Sequence, residues 1–93
     1  MKDEDIHTLF QSVAEQSVHN DESVKRVFST LIRTTLRYRD HVKGARGVIV
    51  TVKDVQIALN WFLESLNTGR LPKTDNRVCL DLLKLWLDEF KNF

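Results

Sequence analysis

Ninety-three residues are the size of one domain, since compact domains run roughly 50–250 residues. Apolar residues make up 42% and charged residues 29%, enough apolar material for a core, which excludes a disordered polyelectrolyte. The net charge of +1 excludes a polycation, yet residues 1–22 hold one base against six acids and residues 25–53 eight bases against one acid, a basic middle of the kind that meets polyanions.

In chain order, Ile6, Leu9, Phe10, Val13 and Ala14 have the i, i+3, i+4, i+7, i+8 spacing that predicts an amphipathic helix over about 6–17. Asp3 and Asp5 stand at its start, where negative charge suits the helix dipole. VHND at 18–21 supplies capping residue types and a short loop. A long helix follows over about 21–43, free of Gly and Pro, with Val24, Val27, Phe28, Leu31, Ile32, Leu36 and Val42 on its apolar stripe. Arg26, Arg33 and Arg37 fall within about 40° of one another on the opposite face, and the helix would span ~33 Å. Arg39 lies near the apolar stripe, where it either snorkels or pairs across an interface. Two short helices do not cover so long an apolar stripe, and exposed patches of that kind mark interfaces. The chain is therefore expected to self-associate or to fold poorly alone. The alternative is that the last helix folds back and completes a four-helix core within one chain.

Gly44 and Gly47 are expected to end the long helix. Val48, Ile49 and Val50 then predict a very short strand, which needs a partner. Thr51 followed by Asp54 is a capping arrangement, a hydroxyl for a free N–H with a carboxylate near the helix start. Val55, Ala58, Leu59, Phe62, Leu63 and Leu66 supply the apolar face of a third helix. Residues 67–76 predict a loop, with Asp75 or Asn76 as the next cap. The last helix, about 77–91, carries apolar residues on almost every side and needs covering on more than one face.

Catalysis finds little support. Cys79 is the single cysteine, and His7, His19 and His41 share no metal-ligand spacing with it. No nucleophile–base constellation or glycine-rich phosphate loop occurs, so no enzyme activity, cofactor, metal or small-molecule substrate is expected. His41 fits a helix end favoured by the dipole. Trp61, Trp86, Phe90 and Phe93 have aliphatic neighbours and fit core or interface anchors better than a base-stacking platform. No apolar run approaches the ~18 residues of a membrane span, and the start is acidic where a signal peptide is basic. An intracellular protein of a reducing compartment is expected, nuclear in a eukaryote.

Tyr38-x-x-His41-x-Lys43, a Gly/Arg-containing loop, then Val50-Thr51-x-x-Asp54-Val55-x-x-Ala58-Leu59 resembles the histone-fold family, in particular the fourth core histone and its transcription-factor relatives. Val24, Leu31, Ile32 and Arg33 fit the same central helix. The resemblance covers about residues 21–59; the first helix fits in outline, and nothing after Leu66 matches. It implies an all-α histone fold over about 5–66 with an additional C-terminal helix, the whole chain forming one domain. It also implies pairing with another histone-fold protein, as a heterodimer rather than a homodimer, in a DNA-associated complex. Phe28, Leu31, Ile32, Val48, Ile49, Val50, Phe62, Trp86 and Phe90 would form the partner interface. Lys43, Arg46 and Lys53, with Arg33 and Arg37, would hold the DNA backbone through phosphates, as histones do. For Arg46 the favoured role is to brace the loop by pairing with Asp54, as an arginine–aspartate pair does in many relatives. The chain departs from the family in having no basic tail, no arginine in the 18–20 loop and a longer second loop, which favours a specialised subunit. A transcription scaffold without DNA contact, or a small viral or phage protein that blocks a host protein, is the alternative.

Overall fold

The apolar periodicities become helices in the computed structural model, which describes residues 1–16 and 22–91: α1 (Asp3–Gln16), α2 (Glu22–Arg46), α3 (Val52–Thr68) and α4 (Arg77–Lys91). The expected loop at 18–21, the Val24 and Lys25 side chains and Phe93 lie outside the described residues. The chain is all-α, and no strand forms among the described residues. No helix of these residues is long and apolar enough to cross a membrane.

Helix ends follow local chemistry. α2 runs through Gly44 and stops at Arg46, one turn beyond the expected end. Gly47 takes the left-handed conformation at φ 66°. Its N–H donates to the Lys43 carbonyl at 3.1 Å and that of Val48 to Val42 at 3.2 Å, closing the last turn. At the start of α3 the Asp54 N–H donates to Thr51 Oγ1 at 3.2 Å, and the Thr51 N–H donates to Asp54 Oδ2 at 3.0 Å. Aspartate thus serves where glutamate is usual in a capping box, satisfying two otherwise free donors. Gly69 (φ 71°) ends α3, and Asn76 rather than Asp75 caps α4, its Oδ1 accepting from the Cys79 N–H at 3.1 Å.

Gly44 inside α2 and Gly47 just past its end make opposite predictions. Nothing lies within 4 Å of a Cβ built at either Gly44 or Gly47. Gly44→Ala is expected to stabilise by about 0.5–1 kcal/mol, because helical glycine loses more backbone entropy than alanine. Gly47→Ala is expected to destabilise by about 1–2 kcal/mol, the cost of a Cβ in left-handed backbone. Thermal melts of the two variants should move in opposite directions.

The tertiary arrangement follows from α4. It packs on α3 and α2, while α1 packs on α2 and α3, so the order around the core is α1–α2–α4–α3. The radius of gyration of 12.7 Å is that of a folded chain of this length, about 12 Å. Ile6 and Phe10 of α1, Phe28, Leu31 and Val42 of α2, Val55, Ala58, Leu59 and Phe62 of α3, and Cys79, Leu82, Leu83 and Trp86 of α4 are buried together with Val50. The stripe 79, 82, 83, 86 makes α4 more one-sided than its apolar count suggests. Leu85 and Phe90 remain exposed outside it.

Trp86 joins all four helices. Its ring meets Phe10 of α1 edge-on at 5.8 Å and Phe62 of α3 at 6.0 Å. Its Nε1–H donates to Thr35 Oγ1 of α2 at 2.9 Å, and that hydroxyl donates to the Leu31 carbonyl at 2.7 Å. Both side chains are fully buried, and both find partners, as buried polar groups must.

Candidate functional site

Arg33, Arg37, Lys43, Arg46 and Lys53 are all exposed, and none forms an ion pair among the described residues. Long cations stay solvated unless a carboxylate is placed beside them, and the fold places its carboxylates elsewhere. Arg39 takes two: its Nη1 lies 2.6 Å from Asp3 Oδ1 and its Nε 2.9 Å from Asp40 Oδ1. The same Nη1 donates to the Met1 carbonyl at 3.2 Å, so Arg39 ties the chain start to α2. Arg39 thus pairs within the chain, which is neither of the two expectations raised by its place near the apolar stripe. Arg77 faces Asp81 at 3.6 Å.

The five candidate cations do not form one cluster. Arg37 and Arg46 border a groove of about 580 Å³ between α2 and α4, together with Tyr38, His41, Lys84 and Leu85. Lys43 faces a different hollow of about 570 Å³ beside Val48, Ile49 and Val50, closed on its other side by Met1, Lys2 and Arg39. Arg33 lies outside both, as does Lys53 in the first turn of α3. The expected Arg46–Asp54 brace is absent among the described residues: Asp54 spends its carboxylate on the Thr51 N–H, and Arg46 belongs to the α2–α4 groove.

The expected interface residues divide by burial. Phe28, Leu31, Val50, Phe62 and Trp86 lie in the chain's own core, where α1, α3 and α4 occupy the surface assigned to a partner. Ile32 and Val48 are partly buried against that core. Ile49 is 68% exposed and Phe90 41%, so these two keep apolar surface free.

Two side-chain bonds fix the groove and the α3–α4 contact. The Tyr38 hydroxyl donates to Asp81 Oδ2 at 2.9 Å. Burial, then this bond to a carboxylate, pushes the phenol up to about 12 against the pull of Arg46 and Arg77. The Cys79 thiol donates to the Asp54 carbonyl at 3.2 Å. Burial, and secondarily the Asp54 charge, pushes that thiol up to about 11. A raised thiol is a poor nucleophile and a poor metal ligand. Among the described residues no three His, Cys, Asp or Glu side chains gather as a metal site.

Sequence reasoning missed Thr35, Asp81, Lys84 and Leu85. Thr35 did carry a signal, since it stands four residues after Leu31 and seven before Val42, inside the apolar stripe. The other three gain meaning from the approach of α4 to α2, which no local pattern announces. Compared with known proteins, the chain matches no family model, no curated protein and no solved structure.

Proposed function

We propose that this chain is a binding subunit of a DNA-associated assembly, nuclear where the cell has a nucleus, which holds DNA through phosphates without reading bases. The observation that carries this reading is the set of five exposed cations, Arg33, Arg37, Lys43, Arg46 and Lys53, with no carboxylate partner among the described residues. Unpaired Lys and Arg release counterions on meeting a phosphate backbone, which makes binding steeply salt-dependent. The test is duplex affinity, read by fluorescence anisotropy across a salt series. Lys43→Gln, Arg46→Gln and Lys53→Gln together should flatten the log–log salt slope by about 3 if each contacts one phosphate. No measurable binding by the wild-type chain would sink the reading.

A second reading keeps the histone-like pairing in altered form. It is favoured by the segment 48–50, where the backbone N–H groups of Ile49 and Val50 have no hydrogen-bond partner among the described residues. Pairing through the long helix would require α4 to leave the core, whereas strand addition at 48–50 would not. Sedimentation beside the DNA assay separates the cases. A folded monomer supports the closed four-helix core, and a dimer that persists on α4 truncation supports pairing through α2.

A further inference from the structure

We propose that the groove between α2 and α4 is a docking site for an acidic segment of a partner protein that carries one apolar side chain among its carboxylates. Charge complementarity sets the chemistry of the occupant. Arg37 and Arg46 from α2 and Lys84 from α4 border the groove, and none has an ion-pair partner among the described residues. Asp81 is itself offset by Arg77, which it faces at 3.6 Å. Glu89 is the other acid of the lining, which leaves an excess of positive charge.

The apolar part of the lining decides between a protein and a nucleic acid. Val42 is buried beneath the groove, while Leu85 is 38% exposed within it, between cations. A phosphate chain gains nothing from covering a leucine. A peptide side chain seated on Leu85 removes apolar surface from water while its neighbouring carboxylates reach Arg37 and Lys84. The inference goes beyond the DNA reading, since Lys84 and Leu85 play no part in it.

The probe is a short fluorescein-labelled peptide of aspartate and glutamate around one central leucine, titrated with the full chain at low salt. Lys84→Glu should weaken binding by about tenfold or more, because a like charge then faces the peptide's carboxylates. Leu85→Ala, and separately alanine in place of the peptide's leucine, should each weaken it by about fivefold to tenfold, the value of the apolar area lost. Leu85→Ala should leave duplex DNA affinity unchanged. The peptide change leaves the protein untouched, so a folding defect cannot imitate its effect. Equal affinity for the leucine and alanine peptides would overturn the proposal by reducing it to charge attraction. Parallel loss of peptide and DNA binding in Leu85→Ala would overturn it too, making the groove part of a DNA surface.

Discussion

Trp86→Ala is expected to cost about 3–5 kcal/mol, the usual range for emptying a buried aromatic site. Domains of this size are stable by only about 5–15 kcal/mol in total, so the variant should be partly unfolded at 37 °C. The effect is large because Trp86 is fully buried and contacts α1, α2 and α3 at once. No single neighbour can move inward to fill the space without leaving another helix. Thr35→Val probes the polar half of the same contact. It keeps the side-chain shape but leaves the Trp86 Nε1–H without its acceptor, at an expected cost of about 1–3 kcal/mol. In a Trp86→Phe background, where that donor is absent, the cost of Thr35→Val should shrink. Urea denaturation of the four proteins measures the coupling, and an equal cost in both backgrounds would remove the hydrogen bond as its cause.

Alkali should unfold this protein more readily than its charge alone suggests. Cys79 is raised from 9.0 to about 11, chiefly by burial, and Tyr38 from 10.0 to about 12 by burial and its bond to Asp81. Raised values mean that the folded chain keeps both protons where the unfolded chain has released them. The associated stability is therefore fully present below pH 9 and is lost as pH rises through about 11 for Cys79 and about 12 for Tyr38. For the buried thiol the loss is on the order of 2–3 kcal/mol. Urea midpoints measured from pH 7 to pH 11 should fall across this window. Cys79→Ala should remove the lower part of the fall and Tyr38→Phe the upper part. The same burial should keep Cys79 unreactive toward a disulfide reagent at pH 8 until urea exposes it. Rapid labelling of the folded chain would contradict the thiol's placement.

How the chain looked before its fold was known depended on the range of each interaction. The capping pair Thr51 and Asp54 is three residues apart, and its geometry was legible because both partners ride on one turn of backbone. The end of α2 was misjudged by one turn, since glycine inside a helix is tolerated and Gly44 alone does not stop it. Gly47 stops it by taking the left-handed conformation. Of the site, the cations were legible as residue types, and their separation into a groove and a hollow was not. Arg46 looked better suited to bracing Asp54 than to meeting phosphate, because proximity along the chain says nothing about which carboxylate is already spent.

By itself, the sequence determined that this is an all-α chain, with the extent of each helix close to its apolar period and its caps. It also determined that the middle is basic. Those properties live within a few turns of one helix, where backbone hydrogen bonds and side-chain spacing settle them. Tertiary structure decided what meets what. Periodicity marks a face for burial without naming the surface that buries it, so the stripe on α2 was read as a partner's, with α4 as the alternative. In the folded chain α4 and α1 meet α2 through contacts across long separations: Trp86 with Thr35 at 51 residues, Tyr38 with Asp81 at 43 and Arg39 with Asp3 at 36. The same packing left 48–50 without a strand partner among the described residues and opened the groove in which Lys84 and Leu85 stand beside Arg37.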